Sequence, residues 1–182
     1  MRKLMLRMVS LEGGDLAGKQ VYIDELAFSK TAETTQLQKV ADQLTDARLL
    51  LKGLDQQGRS YVEPAHDALV RAWARLWEWV KTFGEEKINL QYKLSRAIAD
   101  YQKMSVSAPK RAVDLLWNSN PRLDLLQLEL EGQDHHFNAQ EEEFIRSSIK
   151  KRAARKRTNW SIAIGVMIGL AVLSVFAIIQ RN

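Results

Sequence analysis

Leu49–Pro64, LLLKGLDQQGRSYVEP, holds two short runs that favour extended backbone, separated by a polar turn at Asp55–Gly58. That is the pattern of a β-hairpin. What precedes it is helical. In Met1–Leu11 (MRKLMLRMVSL) the apolar Leu4, Met5, Met8 and Val9 fall at helical spacing, with Arg2, Lys3 and Arg7 opposite. Arg7 interrupts the apolar run and no small-x-small cleavage site follows, so the segment reads as a first amphipathic helix and not as a leader. A glycine-containing loop, Glu12–Lys19, leads to a short extended piece at Gln20–Tyr22 and a short helix at Ile23–Phe28. Thr35 with Gln38 resembles a capping box, and Leu37, Val40, Ala41 and Leu44 then share one helical face. Three helices followed by a hairpin is the order of a winged helix-turn-helix, expected over 1–65.

Downstream, Leu69, Trp73, Leu76, Val80, Phe83, Leu90, Leu94, Ala97, Tyr101 and Met104 follow an alternating four–three spacing. It predicts one long amphipathic helix over 66–104, with Gly84 as a weak point midway. A helical extension over 105–149 follows, punctuated by Pro109 and Pro121, with helices at Pro109–Trp117 and Leu123–Glu131. Asn138 is placed to cap a final helix whose first turn carries Glu141, Glu142 and Glu143. That helix is expected to run on through the residues that follow.

Trp160–Ile179 (WSIAIGVMIGLAVLSVFAII) contains no charge. About 20 apolar residues match the hydrocarbon thickness of a bilayer, so 159–180 reads as a transmembrane helix. Before it, 150–158 forms a basic collar with Lys150, Lys151, Arg152, Arg155, Lys156 and Arg157. Without these six the chain has 21 basic against 22 acidic groups, so the net charge of +5 belongs to the collar. Only Arg181 follows the apolar block, which predicts a single-pass protein of the cytoplasmic membrane with its N-terminal domain in the cytoplasm. The lipid bilayer is then an expected partner, the collar meeting anionic headgroups. Ser161, Gly165 and Gly169 lie four apart, a small-residue face through which the helix could form a homodimer.

Chemistry-bearing motifs are few. With no cysteine there is no disulfide, thiol nucleophile or zinc thiolate site. Gly13–Gln20 (GGDLAGKQ) satisfies the phosphate-loop letters G-x-x-x-x-G-K, but Gln20 stands where a magnesium-binding hydroxyl belongs. A surface turn explains the glycines more simply. A nucleotide site through Lys19 would need N–H groups around Gly13–Gly18 directed at phosphate. His66 between Glu63 and Asp67 reads as a capping or packing residue at a strand–helix junction. His135 and His136 beside Asp134 lack two further metal ligands. Trp73, Trp77 and Trp79 read as core. No catalytic, cofactor-binding or metal-ligating set emerges, no cofactor is expected, and the chain is expected not to be an enzyme.

The winged helix invites comparison with DNA-binding proteins. Gln36, Lys39 and Gln43 on the Thr35–Arg48 helix could meet base edges and phosphates. Asp42 and Asp46 cancel Lys39 and Arg48, and the wing residues Lys52, Asp55, Arg59 and Glu63 are also balanced. A neutral surface supplies little of the phosphate attraction that dominates DNA affinity. A packing surface for protein is therefore favoured, with a membrane-tethered DNA-binding regulator as the alternative.

Leu44–Leu50 (LTDARLL) and Val62–Trp79 (VEPAHDALVRAWARLWEW) carry a family likeness. The chain resembles the region after the nucleotide-binding core of bacterial STAND-type signal-transduction NTPases, the class often fused to WD-repeat β-propellers. In that family a winged helix runs into an H-[ED]-A-L-x-R-x-W-x-x-L-x-x-W helix, matched here by His66, Asp67, Ala68, Leu69, Arg71, Trp73, Leu76 and Trp79. A helical segment, a basic collar and one membrane span commonly follow in that family. Pro64 departs from its usual aliphatic residue, which implies an early end to the hairpin. Neither the NTPase core nor the propeller is in this sequence, which implies a fragment or a stand-alone remnant. The resemblance implies a non-catalytic, membrane-anchored regulatory or scaffold module. Its partner would be an NTPase domain or another signalling protein, and Leu69, Trp73 and Leu76 would hold the long helix to the winged helix.

Overall fold

The computed structural model describes residues 1–12, 15–132 and 135–181, with the side chains of 12, 159, 162–163 and 171–181 left aside. The first helix, α1 (Arg2–Arg7), is shorter than its apolar pattern suggests. Met8 and Val9 are buried as expected, but Val9 already belongs to a strand, β1 (Val9–Glu12). It pairs antiparallel with β2 (Asp15–Gly18) in the register Val9↔Gly18, Leu11↔Leu16. The expected glycine loop is thus a hairpin. Buried Leu16 gives it a place in the core.

A second sheet follows. β3 (Val21–Tyr22) leads through a 3-10 turn at Ile23–Leu26 into α2 (Thr31–Asp46). This helix begins a turn earlier than a Thr35 cap would allow. The Thr34 hydroxyl instead accepts from the Phe28 N–H at 2.8 Å, while Thr35 bonds back to the Thr31 carbonyl within the helix. The hairpin of β4 (Leu50–Leu54) and β5 (Ser60–Pro64) turns at Asp55–Gly58, where Gly58 has φ +78°. One Asp55 oxygen accepts from the Gln57 and Arg59 N–H groups, which closes the turn. β3 adds to β5, giving the order β3-β5-β4. Gly53 faces Tyr61 across the ladder, and a Cβ there would meet the tyrosine ring at 2.5 Å.

The long helix expected over 66–104 is three helices. α3 (Asp67–Arg71) ends at Ala72, α4 (Ala74–Phe83) begins after Trp73, and α5 (Glu85–Ser107) begins after Gly84. Gly84 has φ +95° and ψ 131°, a conformation that a side chain strongly disfavours. A Cβ there would meet nothing within 4 Å, so any cost is conformational. Gly84→Ala is expected to lower stability by about 1–3 kcal/mol, measured by urea denaturation. A neutral or stabilising result would mean that α4 and α5 can fuse.

Two hydrophobic clusters result, with α5 shared between them. The first gathers α1, both sheets, α2, α3, α4 and Ile88 of α5. The second gathers Leu94 and Ile98 of α5, Leu116, and Leu123, Leu126 and Leu130 of α7 (Leu123–Leu130), after a short α6 (Pro109–Ala112). Phe137 and two residues of α8 (Ala139–Arg181), Phe144 and Ile145, complete it. Phe144 meets Tyr101 and Trp117 edge-on, at 5.6 and 5.9 Å between ring centres.

The far half of α8 corrects the sequence reading. Among the described residues no helix is long and apolar enough to cross a membrane. The helix opens on acidic residues, Glu141 and Glu142, and carries the basic collar before its apolar block. The transmembrane helix over 159–180 is therefore withdrawn, and with it the single-pass placement in the cytoplasmic membrane with a cytoplasmic N-terminal domain. Ser161 bonds within its own helix, to the Arg157 carbonyl at 3.0 Å. At Gly165 and Gly169 an added Cβ would meet nothing within 4 Å.

The collar has an internal task. Lys151 reaches the Val113 carbonyl and Asp114, while Arg152 reaches the Asn118 and Asn120 carbonyls and Asp124. Arg155 donates to Ser119 at 3.1 Å. These three fasten α8 to the segment between α6 and α7. Lys150, Lys156 and Arg157 lie exposed.

Candidate functional site

The motif residues sit where the first cluster meets solvent. His66 occupies the N-cap position of α3, exposed and without a side-chain cap bond. Asp67 and Arg71 form an exposed i,i+4 pair at 3.8 Å. Leu76 is fully buried, while Trp73 and Trp79 pack edge-on at 5.4 Å between ring centres. Trp77 donates its indole N–H to the Arg71 carbonyl at 3.0 Å, tying α4 back to α3 across the break. Leu69 and Trp73 line an apolar groove of about 350 Å³ with Met1, Met5, Leu44 and Leu49. The motif therefore builds a surface as well as a core.

The fold also holds a latch that the sequence did not announce. Arg7 of α1 and Glu141 of α8 are both buried, and the pair is bidentate at 3.0 and 2.6 Å. Arg7 also donates to the His136 carbonyl at 2.8 Å, and its guanidinium lies over the Phe28 ring. With the Gln91 amide turned so that its oxygen faces Arg7, that oxygen accepts at 3.1 and 3.3 Å. Asn138 and Glu141 cap α8 reciprocally, each backbone N–H meeting the other side chain at 2.8 Å. The Asn138 amide also donates to the Glu25 carbonyl, and Ser29 donates to Glu142 at 2.6 Å. The start of α8 is thus bonded to three separate parts of the N-terminal unit. Arg7 had read as solvent-facing and Glu141 as a dipole acid. The available signal was a single arginine inside the apolar run LMLRMV.

The phosphate-loop letters do not make a phosphate loop. Gly13, Gly14 and Asp134 lie outside the described residues, and Asp15–Gly18 is paired strand. The Lys19 N–H is committed to the Met8 carbonyl at 2.9 Å. Its side chain instead turns toward Tyr92, the ammonium 5.5 Å from the ring centre. Burial holds that ammonium below the ordinary lysine range, with nearby Glu25 acting in the opposite sense. Burial likewise raises the Glu25 carboxyl, against the pull of Lys19.

Among the described residues no group of three or more His, Asp or Glu could hold a metal ion. His135 stacks on Phe137 and lies 3.6 Å from Glu142, and His136 packs on Phe83. Burial pushes the His136 imidazole down from its ordinary value. On the α2–hairpin face, Lys52 pairs with Asp42, and Arg59 pairs with Asp55 while stacking on Tyr22 at 3.9 Å. Both wing cations are thereby engaged within the chain. Gln36, Lys39 and Gln43 remain exposed on α2.

A family model described as Novel STAND NTPase 1 matches residues 1–108. The match closes at the α5–α6 junction, so it covers the first cluster and the whole of α5. No match was found among curated proteins or solved structures.

Proposed function

The chain belongs to the Novel STAND NTPase 1 family, and on that premise we propose that it is a non-catalytic regulatory or scaffold module of a STAND-type NTPase signalling system. In this reading residues 1–65 act as a protein-packing winged helix, and the partner is an NTPase domain of the same class. The order of elements supports the winged helix: α2 runs into the β4–β5 hairpin, and β3 extends the sheet.

The observation that carries the proposal is the apolar groove beside the family motif. Leu69 and Trp73 of the motif line it together with Leu44 and Leu49, and Leu49 is 40% exposed. Apolar surface of this kind on a signalling module fits a protein partner. The pairing of Lys52 and Arg59 with acids on their own chain weighs against the DNA reading, because little uncompensated charge is left for phosphates.

The test is a binding titration of the full chain against a STAND NTPase core from the same source, in the ADP and ATP states. Leu49→Asp and Leu69→Asp are expected to weaken the complex at least tenfold, since each buries a charge in an apolar contact. Equal binding by both variants would remove the groove from the account. Salt-sensitive micromolar binding to random duplex DNA would favour the regulator instead.

A further inference from the structure

We propose that the cavity between β3, the middle of α5 and the start of α8 binds a small organic oxyanion, a carboxylate or a phosphate ester, through Lys19 and Arg96. The cavity measures about 300 Å³ and lies apart from the apolar groove. It does not depend on the scaffold reading, because its walls are all this chain's own.

The argument begins with charge. Three cations, Lys19, Arg59 and Arg96, and two acids, Asp24 and Glu25, line the space. Arg59 is charge-paired, and both acids have hydrogen-bond donors of their own while keeping their charge. Arg59 is held by Asp55 and Tyr22, Asp24 accepts from the Gln140 amide at 3.1 Å, and Glu25 accepts from the Tyr22 N–H at 3.1 Å. Among the described residues, Lys19 and Arg96 have no hydrogen-bond acceptor for their charged groups. Lys19 is the telling one, a half-buried residue whose ammonium lies 5.5 Å from the centre of the Tyr92 ring, with the Glu25 carboxylate nearby but not bonded to it. A half-buried ammonium with no acceptor in bonding range can take a charge-assisted bond from an incoming oxyanion. Arg96 stands exposed on α5, placed to meet the same anion from the solvent side.

Size and lining narrow the ligand. At about 30 Å³ per water-sized group, the space holds roughly ten heavy atoms, more than an inorganic ion fills. Tyr22 and Tyr92 supply flat walls, and Ser95 and Gln102 of α5 supply neutral polar groups. An aromatic acid or a phenyl phosphate has the matching dimensions and charge.

The probes are benzoate and phenyl phosphate, titrated into the full chain carrying ¹³C-labelled lysine. The Lys19 Cε resonance, assigned by its disappearance in Lys19→Arg, is followed against sodium chloride at matched ionic strength. One or both probes are expected to shift it saturably in the millimolar range or tighter. The one that saturates distinguishes carboxylate from phosphate. Arg96→Gln is expected to weaken that binding at least fivefold, and its exposed position makes misfolding no explanation of the loss. A resonance that follows salt alone, or unchanged binding in Arg96→Gln, would overturn the proposal.

Discussion

Arg7→Met, made with Glu141 left in place, lowers the stability of the full chain by about 3–5 kcal/mol. The size follows from what remains: a carboxylate at 1% exposure that has lost a bidentate guanidinium. The Asn138 and Glu141 N–H and carboxylate cap bonds persist, but they cannot replace a full opposing charge. Replacing both partners, Arg7→Met with Glu141→Leu, should recover much of the loss, because an apolar pair leaves no uncompensated charge behind. The comparison separates the value of the latch from the penalty of breaking it. Urea denaturation followed by far-ultraviolet circular dichroism reads both variants. A loss below about 1 kcal/mol in the single variant would mean that water reaches Glu141 and that the latch is not dry.

Phe144→Ala is the second large effect, with an expected cost of about 3–5 kcal/mol. Its ring is 2% exposed and sits between Tyr101 of α5 and Trp117, so truncation leaves a cavity walled by rigid aromatics that cannot collapse into it. Because Phe144 belongs to the second cluster, the damage should concentrate there. Trp117 touches that cluster, whereas Trp73, Trp77 and Trp79 pack on the first. Tryptophan fluorescence in single-tryptophan backgrounds should therefore show the Trp117 environment unfolding at lower urea than the Trp77 environment. Coincident transitions with the full loss would mean that shared α5 welds the clusters into one cooperative unit. A loss near zero would remove Phe144 from the core.

What was legible in the sequence was local. The hairpin at Asp55–Gly58 follows from turn chemistry within a few residues, and Asn138 declares itself as a helix cap by residue type and by the acids after it. The break at Gly84 was visible as a weakness but not as a break, because only packing decides whether a glycine takes φ +95°. Past it Leu94 of the seam is buried and Leu90, Ala97 and Tyr101 pack on the second cluster, while Ile88 and Ile98, outside the seam, are buried as well. Met8 and Val9 were assigned to the right core by the wrong element, since burial at successive positions fits a helix end or a strand start equally. The latch was hidden by distance, as Arg7 and Glu141 lie 134 positions apart and each has a plausible surface role alone. The collar was read by its charge, yet Lys151, Arg152 and Arg155 serve carbonyls and acids on the same chain. For the apolar block, letters alone indicated a span that the described helix does not provide.

The measurement that tests the central claim most directly is steady-state phosphate release from magnesium–ATP, by the full chain alone and by a STAND NTPase core titrated with it. The account predicts no turnover from the chain alone and a saturable change in the rate of the core. Turnover by the purified chain alone, abolished in Lys19→Met, would contradict it and return Lys19 to a phosphate loop.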